Sequence, residues 1–97
     1  MLALNPDRRY QLEDDIILQA LPELGHYYAF NTKDGDNFKL NLTAHWILSA
    51  IGSNVNYSEL LLGFSKKFDL VGKTAEQDLK EVLQHALENK IIKEVKP

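Results

Sequence analysis

The chain contains no cysteine among its 97 residues. Disulfide bonds, thiolate nucleophiles and cysteine-based zinc sites are therefore excluded. It also lacks an apolar run long enough to cross a bilayer, and the apolar part of residues 1–7 is too short for a signal peptide. We therefore expect the protein to be located in the cytoplasm.

The sequence also lacks a large surplus of positive or negative charge. Eleven Lys and Arg residues stand against fourteen Asp and Glu, which gives a formal net charge of -3. This balance offers no global attraction for phosphate backbones or anionic lipids, so we expect neither nucleic acid nor a membrane as a partner. The length and the ordinary globular composition predict a single domain, with a core over residues 10–93 and flexible ends at 1–9 and 94–97.

Residue patterns that carry catalysis or bind metals are missing too. His26, His45 and His85 lie on different predicted elements without the spacing of a metal motif. Asp34 and Asp36 lack the further acidic ligands of a calcium loop and are typical of a turn. Glycine-rich phosphate loops and serine nucleophile motifs are also absent. We expect no catalytic activity, no metal and no cofactor.

Strand patterns occupy the first part of the chain. Residues 10–18 predict a first strand, bent at Asp14-Asp15, and residues 26–42 predict a hairpin around the Asp34-Gly35 pair. In the second arm of the hairpin, Phe38, Leu40 and Leu42 alternate with polar residues. This alternation is typical of a sheet with one buried face.

From residue 43 onward the apolar residues recur at helical spacing. Asn41 or Thr43 can cap a first helix, and Gly52 can end it. A capping box formed by Asn56 and Glu59 predicts the start of a second helix. In that helix, Gly63 indicates close packing against a neighbour.

A second capping box, Thr74 to Gln77, predicts the start of a third helix, which Asn89 ends in a left-handed conformation. The apolar stripe of this helix includes Asp78, a carboxylate that the helix dipole stabilises in the first turn. Residues 91–95 are interpreted as a short strand or an extended tail. A sheet whose last strand leads into helices can leave a strand edge open beside a helix, which makes a groove for an extended peptide.

These elements also carry a resemblance to a known family. The residues that carry it are Leu40-Asn41-Leu42-Thr43-Ala44, Ile47-Leu48, Phe68-Asp69, Asp78-Leu79, Val82-Leu83, Leu87 and Ile91-Ile92. With this pattern the chain resembles the PqqD-like family, the small leader-peptide chaperones that are also called RiPP recognition elements. The likeness covers roughly residues 10–93.

The resemblance implies an α+β fold of winged-helix-like arrangement, with a three-stranded antiparallel sheet followed by a three-helix bundle. It also implies a non-catalytic peptide chaperone that binds the leader segment of a ribosomally made precursor peptide as an added strand and presents it to a modifying enzyme. In several such systems that enzyme is a radical SAM protein. The binding wall carried over by position comprises Phe38, Lys39, Leu40, Asn41 and Leu42 on the strand and Glu76, Leu79, Lys80 and Leu83 on the helix.

Two other functions stay open at the level of the sequence. A winged-helix DNA-binding regulator would share the order of elements, but the predicted third helix has four acidic residues and only Lys80 as a cation. A protein-interaction domain that binds no leader peptide is the other alternative. For each single leucine of the predicted wall (Leu40, Leu42, Leu79 and Leu83), the competing interpretation as plain core is favoured. The chain is expected to be a monomer or a weak homodimer.

Overall fold

The computed structural model describes residues 8–53 and 55–95 of the chain. The strands are β1 (Arg9–Leu12), β2 (Ile16–Leu21), β3 (His26–Asn31), β4 (Asn37–Leu40) and β5 (Ile92–Val95). The helices are α1 (Leu42–Ile51), α2 (Tyr57–Phe68) and α3 (Gly72–Glu88), and a short 3-10 turn covers Pro22–Leu24. None of the described helices is both long and apolar enough to cross a membrane.

An antiparallel sheet in the order β2-β3-β4 precedes the three helices in the chain. The expected α+β architecture, with a three-stranded antiparallel sheet followed by three helices, is therefore confirmed. Ala29 on the central strand is fully buried, and α1 packs against β3 and β4. The sheet is thus covered on one face by the helical part of the molecule.

The predicted bent first strand is wrong, because the chain forms two strands that belong to different sheets. The Ile16 amide donates to the Glu13 carbonyl at 3.0 Å and closes a tight turn between β1 and β2. Beyond that turn β2 pairs with β3, whereas β1 pairs antiparallel with β5. Arg9 lies opposite Val95 in this second sheet, so the paired structure extends slightly beyond the expected core of residues 10–93. Residues 1–7 and 96–97, also expected to be flexible, lie outside the described residues.

Asparagine side chains begin the first two helices. The Asn41 side chain accepts a hydrogen bond from the Ala44 amide at 2.8 Å at the start of α1. Asn56 and Glu59 form the predicted capping box, with the Glu59 amide 2.8 Å from the Asn56 side chain. Both caps satisfy amides that have no partner within the first helical turn.

The boundaries of α3 differ from the prediction at both ends. This helix begins at Gly72, with Val71 as an N-cap residue that makes no side-chain hydrogen bond, so Thr74 lies inside the first turn and does not cap it. At the other end Asn89 has a φ of -92°, and the left-handed residue is Lys90, with a φ of 58°. The Asn89 side chain instead donates to the His85 carbonyl at 2.9 Å. A side-chain bond to the last turn therefore replaces the expected left-handed asparagine.

The core lies where the sheet and the three helices meet. Its largest fully buried side chains are Phe64, Ile47, Leu48, Leu79, Leu83 and Ile92. A Cβ atom at Gly63 would lie 3.2 Å from Cη2 of Trp46, which confirms that this glycine allows close packing of α2 on α1. Asp78 is exposed and lies in the second turn of α3, because the helix begins at Gly72. The prediction that it belongs to the apolar stripe and is stabilised in the first turn is therefore wrong, and its carboxylate is simply solvated.

Candidate peptide-binding cleft

The outer edge of β4 is an open strand edge among the described residues. The Asn31 amide donates to the Asp36 carbonyl at 2.8 Å, and this bond determines which residues of β4 bond to β3. Because the direction of backbone groups alternates along an antiparallel strand, Phe38 and Leu40 bond to β3. The N–H and C=O groups of Asn37 and Lys39 therefore point away from the sheet and are available to another strand.

A cleft of about 310 Å³ lies beside this edge, between β4 and the C-terminal half of α3. It is lined by Phe38, Lys39, Leu40, Asn41, Ala44, Leu48, Glu81, Val82, His85, Ala86, Asn89 and Ile91. The cleft is partly open to solvent. Residues 38–41 line it, so it lies next to the strand edge to which an extended chain could be added.

The floor of the cleft is apolar. Leu48, Ala86 and Ile91 are buried and belong to the core, and Phe38 and Val82 are half-buried beside them. A side chain that enters the cleft would replace water over this apolar surface, which is favourable by about 25 cal/mol for each Å² covered. The floor can therefore act as a set of apolar pockets.

Polar side chains form the rim on both sides. Lys39 lies on the strand side, and Glu81, His85 and Asn89 follow one another at intervals of four residues along α3. All four are exposed, so the charges of Lys39 and Glu81 are screened by solvent. The helix side of the rim therefore presents the Glu81 carboxylate, whereas the Lys39 side chain on the strand side lies beside Tyr28, on the other face of the sheet.

The structure brings the strand part of the predicted binding wall into the cleft. Residues 38–41 all line it. Leu42 does not, because it is the first residue of α1 and 53% of its surface is exposed. The chain thus turns from strand to helix one residue before the end of the predicted wall.

The helix part of the predicted wall lies elsewhere. Leu79 and Leu83 have no exposed surface and belong to the core, in agreement with the interpretation that the sequence favoured for each single leucine. Glu76 is exposed and Lys80 is half-buried, and neither lines the cleft. The side of α3 that lines the cleft carries residues 81, 82, 85, 86 and 89.

Sequence reasoning missed these helix residues because it followed the strongest apolar periodicity, which marks the core. The signal that could have found them is the border of that stripe. Val82 and Ala86 are apolar, and Glu81 and His85 stand directly before them at the same spacing of four. Such a border places a polar rim beside an apolar floor.

Two buried tyrosines lie outside the cleft. Neither the hydroxyl of Tyr10 nor that of Tyr57 has a hydrogen-bond partner of good geometry within the described part of the chain. Desolvation by burial raises the pKa of Tyr10 above 10.0, although the Arg8 guanidinium beside it acts in the opposite direction. Desolvation also raises the pKa of Tyr57, and the Glu76 carboxylate adds to this effect. Both hydroxyls therefore stay neutral well above physiological pH.

The three histidines lie on three different elements, β3, α1 and α3. Among residues 8–53 and 55–95, no group of three His, Asp or Glu side chains is close enough to hold a metal ion. Comparisons of the chain with protein-family models, with curated proteins and with solved structures give no significant match. The cleft is therefore interpreted from its own geometry.

Proposed function

We propose that this protein is a non-catalytic peptide chaperone, which binds an extended peptide as an added strand on the open edge of β4. The observation that carries the proposal is the coincidence of that edge with an apolar cleft on its solvent side. Backbone hydrogen bonds to an edge strand supply affinity, and pockets for alternate side chains supply specificity. Both parts of this recognition mode are available at the same place.

The size of the cleft favours a peptide of modest affinity. Its volume of about 310 Å³ is at the lower end of the range for ligand pockets, and it is partly open to solvent. Two or three apolar anchors would contribute about 1.5 to 3 kcal/mol each. The ordering of a flexible peptide costs about 2 to 5 kcal/mol of that gain. Together with backbone bonds, these magnitudes fit a Kd of about 1 μM or somewhat lower.

The resemblance to the PqqD-like family supports a more specific form of the proposal. In this form the sheet and helices make a winged-helix-like arrangement, and the bound segment is the leader of a ribosomally made precursor peptide. The modifying enzyme that receives the peptide is a separate protein, with a radical SAM enzyme as the leading candidate. The position of the cleft, between the third strand of the main sheet and the third helix, supports this form.

Charge on α3 disfavours the alternative of a DNA-binding regulator. The exposed acidic residues of this helix are Glu76, Asp78, Glu81 and Glu88. The cations of the same helix are Lys73 and Lys80, and Lys80 is only half exposed. A helix that enters a DNA groove needs cations toward the phosphates, and this one would meet them with net negative charge.

A proline at position 39 tests the added-strand mode. The Lys39 amide points to the open edge, so Lys39→Pro removes a donor that an incoming strand needs without removing a bond to β3. We expect the variant to retain the fold and to bind the leader half of a precursor peptide encoded nearby at least tenfold more weakly. The measurement is an NMR titration of the labelled protein, with shifts expected at residues 37–41 and 81–89.

Lys39→Ala is the matched control, because it removes the same side chain and keeps the amide. We expect it to bind the peptide within about fivefold of the unchanged protein, since an exposed charge pair contributes less than about 1 kcal/mol. Asn41→Pro is a poorer test, because Asn41 also caps α1. Equal affinities for Lys39→Pro and Lys39→Ala would contradict the added-strand mode.

A further inference from the structure

The face of the main sheet that points away from the core carries a second apolar surface. The register aligns Ile17 with Phe30, and Leu21 with His26, across β2 and β3. Since side chains alternate along a strand, Ile17, Leu21, Tyr28 and Phe30 lie on the face opposite to the buried Ala29. We call these four residues the outer face of the sheet.

The two aliphatic side chains of the outer face are exposed, and its two aromatic side chains are half-buried. Ile17 keeps 50% of its surface in solvent and Leu21 keeps 48%. Leu24, in the 3-10 turn that follows β2, adds a third aliphatic side chain at 66%. The exposed polar residue Gln19 lies between Ile17 and Leu21 on the same face. Exposed apolar patches with polar neighbours mark interaction sites on globular proteins.

Strand β2, at the border of this face, also has no strand paired on its other side within residues 8–53 and 55–95. The Thr32 amide donates to the Asp15 carbonyl at 2.8 Å, and by alternation Ile17 and Leu21 bond to β3. The backbone groups of Leu18 and Ala20 then point outward. Within Ile16–Leu21 there is no lysine, proline or other residue of the kind that usually protects an edge strand.

Acidic residues stand at both ends of β2. Asp15 precedes the strand and Glu23 follows it, and both are exposed. We propose that β2 and the outer face dock a protein partner that presents an apolar strand with lysine or arginine near each end. The apolar centre and the two carboxylates together match such a segment in shape and in charge.

The same charges disfavour a second copy of this chain as the partner. Antiparallel pairing of two β2 strands about a twofold axis can place Ile17 opposite Leu21 in only one register. That register also brings Asp15 of each copy toward Glu23 of the other, in the turn that follows β2, and like charges that come close together repel each other. A partner with cations at these positions has no such penalty.

The docking surface is continuous with the peptide cleft through Lys39. Its backbone faces the open edge of β4, while its side chain lies beside Tyr28, on the outer face. If the proposed function holds, a peptide added to β4 extends the same sheet, and every second side chain of the peptide joins the outer face. A protein docked there would then contact the chaperone and the bound peptide together.

Two synthetic heptapeptides test the docking surface. The basic peptide is acetyl-KITVTIK-amide, and its acidic twin is acetyl-EITVTIE-amide. Each is titrated into the labelled full chain, and again into the Lys39→Pro variant, in which strand pairing at β4 is blocked. In both proteins we expect the basic peptide to shift the amides of residues 16–21 and 26–30, and to bind about five- to tenfold more tightly than the acidic twin.

Neutralising the two carboxylates should remove this preference. We expect the Asp15→Asn, Glu23→Gln double variant to bind both peptides with equal affinity. The matched control is the Glu76→Gln, Asp78→Asn variant, which has the same net charge as the first double variant. It should keep the full preference for the basic peptide, because its changes lie on α3 and not at the ends of β2. Both pairs of positions are exposed, so the fold is expected to persist.

Three results would overturn the proposal. They are equal affinity of the unchanged protein for both peptides, shifts confined to β4 and α3, and shifts at residues 16–21 that depend on protein concentration without peptide. The last result would assign the surface to a second copy. None of them bears on whether Lys39→Pro weakens leader binding, so the two proposals can fail separately.

Discussion

At the scale of single residues, the two buried tyrosines are the groups whose chemistry depends most on the fold. Each hydroxyl is buried without a hydrogen-bond partner of good geometry among the described residues, although the Arg8 guanidinium lies beside that of Tyr10. A buried hydroxyl without a partner costs about 1 to 3 kcal/mol. The rings of Tyr10 and Tyr57 fill the core between β1 and α2, so these residues stabilise through their rings and not through their hydroxyls.

Replacement of both tyrosines by phenylalanine tests this view. We expect the Tyr10→Phe, Tyr57→Phe variant to raise the free energy of unfolding at pH 7 by about 1 kcal/mol, because it removes two unpartnered hydroxyls and keeps both rings. Urea unfolding monitored by circular dichroism is the measurement. Tyr28→Phe, on the exposed side of the sheet, is the control and should change stability by less than about 0.5 kcal/mol.

The stability of the same variant should depend less on pH than that of the unchanged protein. Desolvation raises the pKa of both tyrosines in the folded state above the ordinary 10.0, so the unfolded chain releases these protons first as pH rises. The part of the stability that depends on these two protons is therefore fully present below pH 10 and is lost as pH rises above that value. The double phenylalanine variant should lose less stability than the unchanged protein between pH 9.5 and 11. An identical loss in both proteins would show that these hydroxyls are not desolvated.

At the scale of secondary-structure elements, the helices differ in how they begin. The start of α2 depends on two side-chain bonds, between Asn56 and Glu59, whereas α3 begins at Gly72 without a side-chain cap. Packing of Ala75, Leu79 and Leu83 in the core holds α3 in place instead. A strong apolar stripe thus compensates for a weak helix start.

Two alanine substitutions test the difference between the capped start of α2 and the uncapped start of α3. We expect Asn56→Ala to lower the free energy of unfolding by about 1 kcal/mol, because it leaves amides of the first turn unpaired. Thr74→Ala should change it by less than about 0.5 kcal/mol, since Thr74 lies within the first turn and alanine is the better helix former. Denaturant titration of the two variants measures both values. A larger decrease in the free energy of unfolding for Thr74→Ala would show that Thr74 caps α3, as the sequence predicted.

The elements also show how far sequence reasoning reached. The order of strands and helices, the Asn56 cap and the strand side of the cleft were all accessible, because they depend on local alternation and local hydrogen bonds. The pairing of β1 with β5 was not, since it joins residues far apart in the chain and its four-residue strands carry little periodic signal. The face of α3 was misjudged because Leu79 and Leu83 are the most regular apolar residues, and such residues belong to the core.

At the scale of the whole molecule, the two proposed binding surfaces use different properties of one sheet. The cleft uses the open edge of β4 and the inner side, where α1 and α3 supply an apolar floor. The docking surface uses the edge of β2 and the outer side, with Asp15 and Glu23 at its border. A three-stranded sheet has two edges and two faces, so both can be occupied at once without steric conflict.

The pairing of β1 with β5 brings the two ends of the described part of the chain together. Arg9 lies opposite Val95, and the Arg8 guanidinium is 2.6 Å from the Glu94 carboxylate. A short glycine-serine linker between these positions would therefore close a ring at small entropic cost. The exposed turn at residues 33–36 is a suitable place to open that ring.

We expect this circular permutant to fold cooperatively, with a loss of no more than about 2 kcal/mol, because the opened turn contributes few core contacts. Thermal unfolding and the amide spectrum would show it, and a noncooperative transition would argue against it. Because Arg9 and Val95 are neighbours, the domain can also be inserted into a surface loop of another protein. The two ends of the interrupted host loop would then stay close together.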